Sequence, residues 1–351
     1  MKRTHIFILS IILSTTLCFG KNPKNVILII GDGMGLSHVH ASMVVNKKPL
    51  ALEQFKTIGF SQTYSANNFV TDSGAGGTAI ACGVKTNNGM IGILPDSTAV
   101  PSILKIAERN GLATGMVVTC DITHATPASF IAHQPSRKMT QEIALDFLST
   151  DIDVFIGGGR DQFENRTDKR NLSDELRTNG YRVVYTLDEV KKTSSGKLAA
   201  MLNNGHIPAY PERGNMLPES VKAATAILDN NKKGFFLMIE GSQIDWAAHD
   251  NKPDRIIDEM LDFDRSIAVV LDYAKKHKNT LVIVTSDHET GGLTLLNGNI
   301  AKGEFKAAFS TTNHTGVLVP VFAYGPGAEN FAGFMQNTDF KGKIEKLLGI
   351  K

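Results

Sequence analysis

Five short, largely apolar runs punctuate the chain, at residues 25–30, 113–120, 153–156, 234–239 and 280–285, and each ends in glycine or polar residues. A run of that length with no polar face predicts a strand buried on both sides, as in a parallel sheet. Residues 57–65 alternate and predict a further strand, and 181–185, 198–202 and 316–323 predict three more. Helical patterns lie between them, over 101–110, 141–148, about 173–178, 221–228, 256–275 and about 339–348. Gly111 stops the first of these, and Pro127 opens another that runs to about residue 133. Strands alternating with helices predict an α/β fold, a three-layer sandwich with a large, mostly parallel central sheet and helices on both faces. Residues 161–216 are more polar and less patterned, and read as the far edge of that sheet or an excursion from it. No fixed-period repeat and no low-complexity linker divides residues 21–351, which are taken as one catalytic domain.

The first 20 residues stand apart. Lys2 and Arg3 precede an apolar run over 6–17 and then Cys18-Phe19-Gly20. A basic start, a short apolar core and small residues at the end predict a cleaved secretory signal and a periplasmic or secreted protein. Leu17 before Cys18 argues against a lipid-attachment signal. The run is short for a membrane span, and nothing later is apolar for long enough to be one. Cleavage after Gly20 lowers Lys+Arg from 37 to 35, against 35 Asp+Glu. A near-neutral mature chain lacks the basic footprint of a nucleic-acid binder. Cys82 and Cys120 lie in small or apolar settings that suit buried, unpaired thiols.

The stretch 70–79 (Val-Thr-Asp-Ser-Gly-Ala-Gly-Gly-Thr-Ala) sets a hydroxyl beside a carboxylate at the start of a small-residue run that can continue as a helix. Asp72 or Ser73 then stands where helix caps stand. Free backbone N–H groups and the positive end of the helix dipole surround a serine there, a setting for an oxyanion such as phosphate. An Asp-Ser pair is equally an ordinary cap, so other residues must decide. Gly31, Gly33 and Gly35 follow the first strand, but their spacing and the lack of an acid ending a strand about 20 residues on do not fit a dinucleotide loop.

Asp32, Glu240, Asp245, His249, Asp287, His288 and His314 all fall beside the end or start of a predicted strand. In a parallel sheet those tips share one edge, where ligands collect. Asp245 and His249 are four apart, as on one helical turn. Mixed imidazole and carboxylate groups suit zinc, and three histidines with several aspartates suffice for two open zinc sites. Two such metals about 4 Å apart can clamp the attacking and leaving oxygens of a phosphoryl displacement and activate the Ser73 hydroxyl. Asp32, Thr126 and Glu240 offer only oxygens, which suits Mg2+. Arg137 offers a planar fork for two phosphate oxygens. Singly, each residue has a plain structural role: a satisfied strand-end histidine, a capping Asp287, an Arg137 paired with a surface carboxylate. The histidines at 5, 38, 40, 133, 206 and 277 are read as structural or surface residues, His133 being nearest the predicted site in sequence. The group as a whole points to a metal site.

The chain resembles the alkaline phosphatase family over nearly all its mature length. The resemblance rests on Gly31-Asp32-Gly33-Met34-Gly35, Asp72-Ser73-Gly74-Ala75-Gly76-Gly77-Thr78-Ala79, His124-Ala125-Thr126-Pro127-Ala128, Gly157-Gly158-Gly159-Arg160, Glu240-Gly241-Ser242-Gln243-Ile244-Asp245 with His249, and Thr285-Ser286-Asp287-His288-Glu289-Thr290-Gly291-Gly292. It implies that Ser73 is phosphorylated during turnover and Arg137 holds the phosphate. It implies one zinc on Asp245, His249 and His314, a second on Asp32, Asp287 and His288, and magnesium on Asp32, Thr126 and Glu240. The implied reaction is hydrolysis of small phosphate monoesters at alkaline pH with two Zn2+ and one Mg2+. Two positions beside the substrate depart from the enteric bacterial pattern: His124 replaces an Asp near the magnesium, and Trp246 replaces a Lys that reaches phosphate through water. Only 25 residues separate His288 from His314, which leaves little room for the surface insertion of larger members and implies at most a small homodimer interface. Two other functions fit parts of the pattern: a phosphodiesterase of the same superfamily, and a non-catalytic metal- or phosphate-binding protein.

Overall fold

Every residue of strand β1 (Asn25–Gly31) is buried. Val26, Leu28 and Ile30 face one hydrophobic core, and Ile27 and Ile29 face another. A strand with two apolar faces requires a layer of helices on each side, and the computed structural model, which describes residues 22–351, has that arrangement. The leader expected over residues 1–20 lies outside the described residues. The chain continues through α1 (Leu36–Val45), β2 (Thr57–Gln62), α2 (Ser73–Cys82), α3 (Ile103–Arg109), β3 (Ala113–Asp121), α4 (Ala125–Ile131), α5 (Thr140–Asp146), β4 (Val154–Gly158), α6 (Arg160–Glu164), α7 (Leu172–Thr178) and β5 (Tyr181–Val184). It then runs through α8 (Leu187–Lys191), β6 (Lys197–Met201), α9 (Met216–Leu228), β7 (Phe235–Gly241), α10 (Gln243–His249), α11 (Pro253–Lys276), β8 (Thr280–Thr285), β9 (Glu289–Thr290), β10 (Leu293–Asn299), β11 (Glu304–Phe309), β12 (His314–Thr315), β13 (Val319–Tyr324), β14 (Gly333–Gln336) and α12 (Asp339–Leu348).

Ten strands form the central sheet in the order β14-β2-β13-β8-β1-β7-β3-β4-β6-β5. Helices α2, α3, α4, α5 and α12 contribute to the core on one face, and α1, α9, α10 and α11 to the core on the other. The weakly patterned region after residue 160 supplies β6 and β5, so it is the far edge of the sheet. All neighbours are parallel except β13, which runs against both β8 and β2. The reason is local. No helix crosses over between β8 and β13, and without a crossover the chain returns antiparallel.

That connection contains the main element absent from the sequence-based description, the antiparallel pair β10–β11, with a register shift between Leu295 and Asn297. Leu293 packs against Ala41 of α1 and Ile257 of α11. Helix α1 was likewise not anticipated, and β13 begins at Val319 rather than 316. Cys82 and Cys120 are buried and unpaired, as expected. Among the described residues no helix is long and apolar enough to cross a membrane.

Helix α2 is buried along its whole length. A Cβ at Gly76 would sit 3.0 Å from the Asp287 carbonyl, and one at Gly77 would sit 2.9 Å from Ser129 Oγ on α4. The missing side chains let the first turn of α2 press between the tip of β8 and α4. That contact brings the start of α2 to the edge of the sheet where the acidic residues lie.

Candidate active site

Asp72 caps α2 and Ser73 is its first residue. The Asp72 carboxylate accepts from the N–H groups of Ala75 and Gly89 and from Arg137 Nη1 at 2.9 Å. Burial pushes its pKa up, but the Arg137 guanidinium and the two N–H groups outweigh burial and hold it below the usual carboxylate value. The bland expectation for Arg137, pairing with a carboxylate, is therefore correct in kind, and the carboxylate is the one beside Ser73. The other arm of the fork, Nη2, donates to His124 Nε2 at 3.3 Å.

Ser73 is buried and its Oγ lies 3.2 Å from His288 Nε2. One ligand atom from each of Asp32, Asp287 and His288 lies within 4.8 Å of the other two. All three residues are fully buried. Both oxygens of Asp32, and Oδ2 of Asp287, lack a hydrogen-bond partner. Buried carboxylate oxygens are rarely left so unless an ion completes them. Thr290 settles the His288 tautomer. Its single O–H donates to Asp245 Oδ1, so at 3.2 Å from His288 Nδ1 it can only accept. The proton is on Nδ1, and the Nε2 lone pair faces Asp32 at 3.4 Å and Asp287 at 3.3 Å.

Asp245, His249 and His314 form a second such group. Each histidine donates Nδ1–H to a backbone carbonyl, His249 to Thr312 and His314 to Thr71 at 2.8 Å. Both Nε2 atoms then turn inward, 3.1 Å from each other and 3.3 and 3.6 Å from Asp245 Oδ1. Outer hydrogen bonds of this kind fix ligating histidines in metal sites. Without a cation a proton must hold the pair together. The Asp245 hydrogen bond accordingly raises His249 to about 9. Burial and the neighbouring His288 lower His314 to about 4.

Glu240 Oε1 and Thr126 Oγ1 are buried near one another, and neither has a hydrogen-bond partner of normal geometry. Cys120 and His124 also approach Glu240, but both are committed. Burial, then the Glu240 charge, holds the Cys120 thiol protonated. Arg137 is always a donor, so His124 accepts at Nε2 and carries its proton on Nδ1. That leaves the oxygens of Glu240, Thr126 and Asp32, the donor set of a hard cation. Burial and repulsion from Asp287 push Glu240 up to about 8, and burial and the Asp245 charge raise Asp287 to about 6.

Trp246 is half-buried and meets His124 edge-on, with ring centroids 6.0 Å apart. His206, expected to be structural or at the surface, is exposed, and its ring lies 4.6 Å from that of Trp246 and 5.6 Å from that of His124. His133 is structural, with Nδ1 2.7 Å from the Gly92 carbonyl oxygen. Thr290 and His206 are the residues that sequence reasoning missed. Thr290 lies inside a quoted motif, so its place beside His288 was visible although its hydrogen bonds were not.

The family model for alkaline phosphatase matches residues 23–308. The chain belongs to the alkaline phosphatase family. It is 35% identical to alkaline phosphatase 4 of Bacillus subtilis, over 93% of this chain and 88% of that protein. It is 30% identical to the alkaline phosphatase of Escherichia coli, over 94% and 87%. The alkaline phosphatase of the Antarctic bacterium TAB5 superposes with a TM-score of 0.90 at 43% identity, covering 94% of this chain and 99% of that one. A variant of the TAB5 enzyme was solved with Mg bound. Alkaline phosphatases are metal-dependent phosphoric monoester hydrolases, and this chain is one of them.

The shifted groups make the metal-free protein pH-sensitive in a defined direction. Glu240 keeps its proton to about 8 when folded but loses it near 4.5 when unfolded, so its cost to stability grows as pH rises between those values. His249, raised from 6.5 to about 9, stabilises fully below 6.5 and loses that contribution as pH rises towards 9. His288 and His314, lowered to about 4 in the fold, keep titrating near 6.5 in the unfolded chain, so their opposing contribution is exhausted only above about pH 7.5. Chelator-treated protein is therefore expected to lose thermal stability steadily from about pH 7.5 to 9, and protein supplied with Zn2+ and Mg2+ is not. Parallel melting curves across that range with and without chelator would contradict the assignment.

Proposed function

We propose that this phosphomonoesterase works through a covalent phosphoserine on Ser73. The reading is carried by one observation: the Ser73 hydroxyl, at the N-terminus of α2, lies 3.2 Å from the inward lone pair of His288. The donor sets suit one Zn2+ on Asp245, His249 and His314, a second on Asp32, Asp287 and His288, and Mg2+ on Asp32, Thr126 and Glu240. Such ions, when bound, supply Lewis acidity and lower the pKa of a nearby hydroxyl or water.

The residues of the chain do the rest. Ser73 Oγ gives up its proton to solvent and attacks phosphorus, the bond from phosphorus to the ester oxygen breaks, and the leaving oxygen takes a proton from solvent to depart as the alcohol. Water then attacks the phosphorus of the phosphoserine, the bond from phosphorus to Ser73 Oγ breaks, inorganic phosphate leaves and Ser73 Oγ regains a proton. Arg137, held by Asp72 and His124, keeps further N–H groups for the phosphate oxygens, and the N-terminal N–H groups of α2 favour the same negative charge. An arginine beside the serine and an oxygen-only third site support a monoester substrate over a diester, which has fewer free oxygens to hold.

Hydrolysis of p-nitrophenyl phosphate at about pH 9, above the values of about 8 for Glu240 and about 6 for Asp287, tests the proposal. Wild type supplied with Zn2+ and Mg2+ should turn over, chelator should abolish turnover, and Ser73→Ala should lose at least about a hundred-fold in kcat. A Ser73→Ala protein of undiminished activity would sink the phosphoserine pathway, and a folded, metal-replete wild type that cleaves only the diester with the same leaving group would favour the diesterase. Trp246 adds a separate expectation. It leaves the pocket without the positive charge that a lysine would bring, so phosphate should inhibit Trp246→Lys at lower concentration than wild type; unchanged inhibition refutes that role.

We also propose an exported homodimer with a small interface. Phe69 is 75% exposed, and beside it Val317, Leu318 and Tyr64 present an apolar face that leads through Thr71 and His314 to the site. Native mass spectrometry of protein recovered from producing cells should find twice the mass of residues 21–351. The mass of one such chain would remove the dimer, and a subunit still carrying residues 1–20 would remove the cleaved leader.

A further inference from the structure

The connection between β6 and α9, residues 202–215, contains no helix or strand, yet it is held down by buried groups at several points. The Arg213 guanidinium is buried and bonds the buried carboxylates of Glu259 and Asp262 on α11, with Nε 2.8 Å from Asp262. The Tyr210 N–H donates to Glu259 at 2.9 Å. Gln243, the first residue of α10, donates from Nε2 to the carbonyls of Ile207 and Thr119, both at 2.7 Å. The segment is thereby tied to the helix that carries Asp245, Trp246 and His249, and to strand β3.

What this anchoring presents is His206. The Asp121 N–H donates to its Nδ1 at 3.0 Å, so the neutral ring carries its proton on the opposite nitrogen, Nε2. The ring itself is exposed. It stands at 68° to the Trp246 ring and at 84° to the His124 ring. The three rings form one edge-to-face cluster, which meets Arg137 at His124 and solvent at His206.

We propose that His206 and Trp246 form a binding surface for the leaving group, one that favours flat aromatic esters over small aliphatic ones. The inference rests on the phosphoserine reading above. In-line displacement at phosphorus places the leaving oxygen opposite the nucleophile. Ser73 is buried, so the alcohol departs towards solvent, past the rings that run from His124, beside Arg137, through Trp246 to the exposed His206. A phenyl or heterocyclic ring leaving there meets the indole and imidazole, which take up flat rings by offset or edge contact. The His206 N–H offers a donor to a ring acceptor. A short aliphatic alcohol reaches neither group.

Phenyl phosphate and glycerol phosphate are the probes, compared as a ratio of kcat/KM so that changes in overall activity cancel. Two variants separate substrate contact from support of the loop. His206→Asn keeps a side-chain acceptor for the Asp121 N–H but has no ring, and His206→Phe keeps a ring but has no acceptor. For metal-replete enzyme, His206→Asn should lower the phenyl-to-glycerol ratio about three- to ten-fold, mainly through KM for phenyl phosphate, and His206→Phe should hold it within about two-fold of wild type. The inference is overturned if His206→Asn leaves the ratio unmoved, or if His206→Phe loses as much as His206→Asn. A wild type that hydrolyses neither ester overturns the phosphomonoesterase reading itself, an outcome distinct from turnover with an unchanged ratio.

Discussion

Negative charge with no protein partner is the constraint on which this structure turns. Asp32, Asp287 and Glu240 are fully buried, and among the described residues Asp32 has no hydrogen bond to either oxygen. Burying an ionised carboxylate without compensation costs several kcal/mol, and three converge here at the tips of neighbouring strands. The sheet cannot be relaxed to relieve them. Strand β1, which places Asp32, is paired residue by residue with β7, which places Glu240, and with β8, which precedes Asp287. The rigidity that brings the groups together also prevents them from moving apart. Either protons or cations must therefore neutralise them, and pH decides which is available. Rising pH removes the protons of Asp287 and Glu240, raised to about 6 and about 8, and leaves their unpaired oxygens to a cation.

The surrounding hydrogen bonds act on orientation rather than on charge. His249 and His314 spend Nδ1–H on backbone carbonyls, and His288 spends its Nδ1–H on Thr290. In every case the inward nitrogen is the one left with a lone pair. Thr290 also donates to Asp245 and so joins the two ligand groups through one hydroxyl. Asp72 works in a similar way beside Ser73, capping α2 and gripping Arg137 with the same carboxylate. A cap of this kind contributes about 1 kcal/mol to its helix, a modest amount beside its effect on where the guanidinium sits.

How far the sequence revealed this follows from the physics of each part. The buried parallel strands were legible because burial on both faces leaves an unbroken apolar run, and the clustering of Asp32, Asp287 and His288 and of Asp245, His249 and His314 was legible because they stand beside the ends of strands. The reversed direction of β13 was not, since direction depends on what crosses over between strands and not on the residues of the strand. The β10–β11 pair was missed because most of it is exposed and carries little apolar alternation. His206 was out of reach for another reason. It sits in an irregular segment, far in sequence from Trp246, and the anchoring of that segment by Arg213, Tyr210 and Gln243 brings it beside Trp246.

The two departures from the enteric pattern, His124 and Trp246, are one structural feature. Their rings touch, and His124 also accepts from Arg137. Burial, then the Arg137 and His206 charges, lower His124 to about 3, so it enters the pocket neutral. A neutral imidazole can pack against indole and still accept from a guanidinium, and it adds no charge of its own. A lysine at 246 would lose that packing and set an ammonium near Arg137. An aspartate at 124 would compete with Asp72 for the same guanidinium. On the proposed mechanism the pair leaves phosphate to the guanidinium and the cations and adds no charge beside them, and changing either residue alone would disturb the other.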